Sequence, residues 1–238
     1  MVDLSTIKAL TWDVGGTVFD WHSSIRREVS RLAADRGVEV DAAEFARDWR
    51  RGMFETLGRM RAGETPRMNA DRMHRLALDD VLDKHSTLEL KPSERDELNN
   101  VWHKLDVWPD APDAIKTLRG RYAVVVLTIL SWSIAVDSSK AAGVRWDGIL
   151  SCEFLDRYKP EPEAYQQAAR LLRLEPAQVM MVAAHYGDLR AAAVAGMHTA
   201  YVPRPRERGE GHDSDLSPLP EFDVNATDFP DLAKQLLA

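Results

Sequence analysis

The side chains of four polar residues could form a nucleophilic site: Asp13, Thr128, Lys159 and Asp188. Asp13, Thr128 and Asp188 stand at or after the ends of apolar stretches, and Lys159 precedes a predicted helix. Two carboxylates, one ammonium and one hydroxyl that converge in a single crevice are suited to nucleophilic catalysis. Asp13 is the candidate nucleophile, because it directly follows an apolar run and precedes Val-Gly-Gly-Thr.

Each of these residues also has a purely structural interpretation when it is considered alone. Asp13 and the glycines after it could form a strand-to-loop turn, in which glycine permits a positive φ and a polar residue caps a helix. Lys159 could be a surface lysine before a helix-starting proline, and Asp188 could be an N-cap. Thr128 could simply continue its strand. The order of the four residues and the placement of Asp13, Thr128 and Asp188 at strand ends favour the functional interpretation.

Four short apolar runs predict the buried strands that would position these side chains: residues 7–12, 122–129, 179–184 and 198–202. The second run contains Ala-Val-Val-Val-Leu-Thr-Ile, a continuous pattern typical of a parallel strand covered on both faces. Helical patterns at 162–174 and 188–195 alternate with the later runs. We therefore predict an α/β fold with a doubly wound, Rossmann-like parallel sheet, in which ligands bind beyond the carboxyl ends of the strands.

The segment 23–104 interrupts this alternation. It contains no convincing strand, and its helical stretches are 25–36, 42–60, 70–84 and 93–104. We predict that 23–104 forms an inserted, all-helical cap and that 1–22 and 105–238 form the catalytic core. The segment 203–220 is rich in Pro, Gly, Ser and charged residues and has the composition of a loop.

The overall composition excludes several classes of protein. A chain of 238 residues that is 45% hydrophobic and 29% charged can bury a sizeable core. Its net charge of −7 argues against a nucleic-acid partner, and no apolar run approaches the roughly 20 residues of a membrane span. The single cysteine, Cys152, excludes an internal disulfide and fits a cytoplasmic protein. Cys152 is a poor candidate nucleophile, because no base and orienting group can be assigned near it.

The order of the motifs resembles the haloacid dehalogenase superfamily. An apolar strand precedes Asp-Val-Gly-Gly-Thr, a hydroxyl residue follows a second strand, and Lys-Pro precedes an Asp after a further strand, so that the resemblance spans Asp13 to Asp188. Phosphatases of the superfamily carry a second Asp as general acid two positions after the nucleophile, whereas this chain has Gly15. The chain is more similar to the 2-haloacid dehalogenases, through the spacing of Lys159 and Tyr165 and through the pair Trp49-Arg50 in the cap.

The resemblance implies a mechanism in two steps. Asp13 attacks C2 of a small 2-haloacid and forms an ester, while the halide leaves toward Arg50. Water, assisted by Asp188, then hydrolyses the ester and releases an inverted 2-hydroxy acid. Lys159 keeps both carboxylates ionised. Hydroxyl and backbone N–H groups hold the substrate carboxylate or the oxygens of the nucleophile, and the hydroxyls are those of Thr17 and Thr128.

The departure of a halide needs no proton, so neither a general acid nor a metal or other cofactor is implied. The resemblance suggests a homodimer and a preference for S substrates. It also assigns substrate contacts to Gly15, Ile129, Tyr165 and His185, in addition to Arg50.

Several positions depart from the dehalogenase pattern: Gly15 replaces an aromatic residue, Ile129 an Asn, Ala183 a Ser and His185 an Asn. Glycine opens space beside the nucleophile, which Trp132 or Tyr186 could fill, and Ile129 adds an apolar wall. We therefore expect better activity on longer 2-haloacids than on haloacetates, and weak release of fluoride.

Three functions are compatible with these observations. The first is a 2-haloacid dehalogenase, the second a hydrolase of the same fold that acts on another small substrate, including a phosphate ester, and the third a non-catalytic relative. Gly15 argues against a phosphatase, which has to protonate an alkoxide leaving group. The presence of Asp13, Lys159 and Asp188 argues against a non-catalytic protein.

Overall fold

The core is a six-stranded, fully parallel sheet with the strand order β5-β4-β1-β6-β7-β8, in a computed structural model that describes residues 4–212 and 215–238. The strands are β1 (Ala9–Trp12), β2 (Phe19–Asp20), β3 (Asp106–Val107), β4 (Ala123–Thr128), β5 (Gly148–Ser151), β6 (Val179–Ala183), β7 (His198–Tyr201) and β8 (Val224–Asn225). All residues of β1 and β6 are buried, as their continuous apolar sequences require.

The four predicted strands are present as β1, β4, β6 and β7, and the sequence predicted neither β5 and β8 of the six-stranded sheet nor the short pair β2 and β3. β5 and β8 lie at the outer edges of the sheet. β5 is only half-buried over most of its length, and β8 has two residues, so neither produces a run of apolar residues in the sequence. The central strand β1 pairs with β4 on one side and β6 on the other, which brings the carboxyl ends of all three together.

The helices cover both faces of this sheet and also form the insertion. They are α1 (Trp21–Arg36), α2 (Ala42–Arg61), α3 (Ala70–Lys84), α4 (Pro92–Asn99), α5 (Ala111–Leu118), α6 (Trp132–Ala141), α7 (Pro162–Leu171), α8 (Tyr186–Val194) and α9 (Phe229–Leu237). α1 begins four residues before the predicted start, because Asp20 caps it by accepting a hydrogen bond from the backbone N–H of Ser23. The predicted helix 93–104 is divided into α4 and a 3₁₀ helix, Asn100–Lys104.

The helical cap lies between two short strands that pair with each other. β2 and β3 form an antiparallel ribbon, with Phe19 opposite Val107, where the chain leaves the core and returns to it. We propose this ribbon as the boundary of the cap, close to the predicted limits of 23 and 104. Inside the cap, the buried Trp49 indole donates a hydrogen bond to the carbonyl of His74, 2.8 Å away, and ties α2 to α3. No helix of the described residues combines the length and apolar character needed to cross a bilayer.

Candidate active site

Asp13 lies immediately beyond the carboxyl end of β1 and is buried. Its backbone N–H donates to the carbonyl of Val182 on β6, which fixes the residue at the sheet edge. The Thr17 hydroxyl donates to Asp13 Oδ2 over 2.7 Å and accepts a hydrogen bond from the Ala184 backbone N–H. The turn between them requires glycine at Gly16, whose φ is +98°.

Lys159 bridges the two predicted carboxylates. Its buried Nζ lies 3.1 Å from Asp13 Oδ1 and 2.7 Å from Asp188 Oδ2, and it also donates to the carbonyl of Leu127 at the end of β4. All three hydrogens of the ammonium are therefore engaged. The second oxygen of Asp188 accepts a hydrogen bond from the Tyr165 hydroxyl, so both oxygens of this carboxylate have protein donors.

Two further charged side chains, those of His185 and Glu207, form a second series of ion pairs that ends at Asp13. The sequence predicted His185 in the site but not its pairing with Glu207. His185 Nδ1 lies 3.2 Å from Asp13 Oδ2, and His185 Nε2 lies 2.9 Å from Glu207 Oε2. The other oxygen of the buried Glu207 accepts a hydrogen bond from the Trp21 indole over 2.9 Å. Glu207 comes from a segment to which the sequence assigned only loop composition. The one available signal was its position after β7, whose carboxyl end lies on the same sheet edge as Asp13.

These contacts fix the charge state of the site. Burial alone would raise the pKa of Asp13, but the nearby Lys159 ammonium, followed by His185 and Thr17, lowers it below its ordinary value. Burial disfavours a charged His185, yet the carboxylates of Glu207 and Asp13 raise its pKa to about 10. Burial is likewise outweighed at Glu207, where His185 lowers the pKa to about 2. Asp13 is therefore an ionised carboxylate at neutral pH, and His185 is an imidazolium.

Arg50 reaches the core site from α2 of the cap. Its side chain is buried, and its Nη2 donates to the carbonyl of Gly15 over 3.3 Å. The guanidinium carbon lies 4.7 Å from the ring centre of Phe54 and 5.6 Å from that of Trp21. Its Nη1 is buried without a hydrogen-bond partner among the described residues. A buried cationic donor of this kind is suited to an anion.

A cavity of about 770 Å³ lies between cap and core, and Asp13, Lys159, Asp188, Arg50 and His185 all line it. Phe54, Leu57 and Ile129 supply apolar walls. Thr128 does not line this cavity; it is fully buried, and its hydroxyl accepts a hydrogen bond from the Leu130 backbone N–H. Tyr165 is also fully buried and reaches the site only through Asp188.

The prediction that Trp132 or Tyr186 fills the space beside Gly15 is wrong. A Cβ added at Gly15 would lie 3.3 Å from Arg50 Nη2 and 3.4 Å from Leu130 Cδ1, so these two side chains already occupy that space. Trp132 is 47% exposed at the start of α6. The Tyr186 ring packs against Tyr201 of β7 and against Phe222, and its hydroxyl donates to the Ser217 carbonyl.

The residues present do not fit a magnesium ion of the kind that phosphatases of the superfamily use. Such an ion needs six oxygen ligands. Here the Lys159 ammonium occupies the position between Asp13 and Asp188, and Gly15 offers no carboxylate. Within the described residues, no group of three His, Cys, Asp or Glu side chains is arranged to hold a metal.

The fold and this site define a Rossmann-like α/β protein with an inserted helical cap and a buried aspartate directly after its central strand. A model of the haloacid dehalogenase-like hydrolase family matches residues 7–196, so the chain belongs to that family and is an enzyme. The (S)-2-haloacid dehalogenase 4A of Burkholderia cepacia is 27% identical over 252 residues, which cover 99% of this chain and 98% of that protein.

Two solved structures are similar over nearly the whole chain. A defluorinating L-2-haloacid dehalogenase is 37% identical with a TM-score of 0.92, covering 98% of this chain and 96% of the other. A second L-2-haloacid dehalogenase is 33% identical, also with a TM-score of 0.92, covering 97% of this chain and 99% of the other. The Rossmann-like core and helical cap predicted from the sequence are thus confirmed.

Proposed function

We propose that this hydrolase cleaves the carbon–halogen bond of small 2-haloacids and that Asp13 forms an ester with the substrate. The observation that carries the proposal is the pairing, in one cavity, of a buried ionised carboxylate with the unpartnered N–H of Arg50. A nucleophile and an anion-binding donor are what a displacement of halide needs.

Each residue has a role in this proposal. Asp13 attacks C2, and Arg50 receives the halide in a pocket walled by Phe54 and Trp21. Lys159 holds Asp13 in its charged form. Thr17 orients Oδ2 of the nucleophile. Thr128 and Tyr165 stabilise this arrangement without contacting the substrate. Thr128 accepts a hydrogen bond from the Leu130 backbone, and Tyr165 donates one to Asp188, which in turn binds Lys159.

Two features of the site argue against the alternative substrate, a phosphate ester. A phosphatase needs a proton donor for the alkoxide and a cation for the phosphate oxygens. Gly15 supplies no acid, and the Lys159 ammonium occupies the position where a metal cation would bind.

The cytoplasmic location and the homodimer expected from the sequence stay predictions.

Two measurements test the proposed function. Chloride release from 2-chloropropionate in the presence of EDTA should be rapid, whereas hydrolysis of nitrophenyl phosphate with magnesium should be negligible. In a single turnover in ¹⁸O water, the label should enter the Asp13 carboxylate and be missing from the first product. Label that appears directly in the hydroxy acid would mean that water attacks C2 and would overturn the ester mechanism.

The walls of the cavity bear on the substrate range. Phe54, Leu57 and Ile129 offer apolar contact to a side chain at C2, which supports the expected preference for longer acids over haloacetates. The expectation of weak fluoride release depended in part on open space beside Gly15, which Arg50 and Leu130 fill. Fluoroacetate is therefore a substrate to test, all the more because one solved relative is a defluorinating enzyme.

A further inference from the structure

We propose that His185, oriented by Glu207, is the general base that activates water for hydrolysis of the Asp13 ester. This proposal rests on the proposed dehalogenase function. His185 is a catalytic residue in this proposal, because it contacts the reacting carboxylate, and Glu207 is a positioning residue that acts through it.

The geometry of the pair is that of an oriented base. The two ring nitrogens of His185 divide between two carboxylates: Nδ1 faces Asp13 Oδ2 at 3.2 Å and Nε2 faces Glu207 Oε2 at 2.9 Å. Glu207 is itself held by the Trp21 indole. An imidazole whose far nitrogen is fixed by a buried carboxylate, and whose near nitrogen lies at the reacting group, is a recurrent arrangement for proton transfer.

The His185 ring lines the cavity and contacts the reacting carboxylate directly, whereas Asp188 is joined to Asp13 through Lys159. The His185 side chain lines the cavity and is 22% exposed. Both oxygens of Asp188 already accept hydrogen bonds, one from Lys159 and one from the Tyr165 hydroxyl. Both oxygens of Asp188 are therefore engaged in orienting Lys159 and Tyr165. The water step that the sequence analysis gave to Asp188 is therefore better assigned to His185.

The charge of the site changes at the right moment for His185 to act as a base. In the resting enzyme the Asp13 carboxylate helps to raise the pKa of His185, so the ring is protonated. Ester formation removes that negative charge, and the pKa of His185 falls. Lys159 faces Asp13, and Arg50 lies near both Asp13 and Glu207. The imidazolium can then release its proton to solvent and present a neutral Nδ1.

The protons and bonds of the hydrolysis balance. Water forms a bond to Cγ of Asp13 and gives one proton to His185 Nδ1. The bond from Cγ to the substrate oxygen then breaks, and the leaving alkoxide takes the second proton of the water. The product is a hydroxy acid, and the enzyme returns to ionised Asp13 with protonated His185. The net proton released per turnover is the one that His185 lost after the ester formed.

The test uses H185N, which keeps hydrogen-bonding capacity at the position but cannot take a proton. A matched control is H198N, since His198 is paired with Asp223 at the start of β7, away from the site. With 2-chloropropionate, H185N should release a burst of one chloride ion per enzyme molecule. The ester should accumulate on Asp13, where mass spectrometry detects it, and steady-state turnover should be slower by about 10²-fold or more. H198N should show neither burst nor accumulation.

Two further variants keep the test decisive if H185N folds poorly. H185A should form the ester, and added imidazole should accelerate its hydrolysis. E207Q should shift the pH dependence of ester hydrolysis to lower pH, because residue 207 then carries no negative charge that raises the pKa of His185. If Glu207 had a merely structural role, E207Q would lower the rate without this shift.

The outcomes separate the two proposals. Normal turnover by folded H185N, slower turnover without ester accumulation, or failure of imidazole to accelerate H185A would overturn the role of His185. An absence of chloride release from the unmodified enzyme would instead overturn the proposed dehalogenase function.

Discussion

Replacing Lys159 by Met tests the electrostatic basis of the site, because methionine keeps the length of the side chain and removes its charge. The Lys159 Nζ lies 3.1 Å from Asp13 and 2.7 Å from Asp188, so the two carboxylate oxygens are within about 6 Å of each other. At an effective dielectric constant of about 20, two unit charges at that separation repel by about 3 kcal/mol. Removing one partner of a buried ion pair generally costs about 3–5 kcal/mol, which agrees with this value.

Removal of Lys159 should change the pH dependence of stability. In the unmodified enzyme the folded-state pKa of Asp13 is lowered, so its contribution to stability is present above the unfolded pKa of about 4 and is lost as the pH falls through the folded value. Without Lys159, burial and repulsion from Asp188 raise the folded pKa of Asp13, while His185 and Thr17 still favour its ionised form. The stability deficit of K159M should therefore be greatest at neutral pH and should shrink as the solution is acidified.

Urea unfolding at pH 7.5 and pH 5, together with chloride release, measures both effects. K159M should be about 3 kcal/mol less stable at the higher pH and should lose activity by on the order of 10³-fold. K140M, at an exposed position on α6, is the control and should change neither quantity. An unfolding free energy within about 0.5 kcal/mol of the parent at pH 7.5, or near-normal turnover, would refute the electrostatic argument.

Two other predictions concern the cap. R50A should lose nearly all dehalogenation because the halide loses its buried donor, whereas R51A, at an exposed arginine paired with Asp48, should not; equal kinetics of the two variants would contradict this role. G58L should reduce kcat/KM for 2-chlorobutyrate about tenfold more than for chloroacetate, because a Cβ at Gly58 meets no atom within 4 Å and the larger side chain would fill the cavity. An equal effect on both acids would show that this wall does not contact the substrate.

The central residues of the site could be predicted because they follow from strand topology. Asp13 directly follows β1 and Asp188 lies in the first turn of the helix after the neighbouring strand β6, so a reliable assignment of β1 and β6 brings them together. Lys159 and Tyr165 were located by the spacing of a motif. No comparable rule locates Glu207, because its proximity to His185 depends on the path of a long loop. The contact of Arg50 with Gly15 likewise depends on how the cap packs on the core.

The closeness of Gly16 to Glu207 has a consequence for tracing the history of this enzyme. A Cβ added at Gly16 would lie 2.2 Å from Glu207 Oε1, so a side chain at position 16 and a carboxylate at this place in the loop exclude each other. The positive φ of Gly16 already requires glycine there, so the turn leaves room for this carboxylate without a further change. The residues that should vary together among related proteins are therefore His185 and Glu207, which are 22 residues apart in sequence. This two-position signature would separate, within a large family, the lineages that carry the histidine–glutamate pair from those that do not.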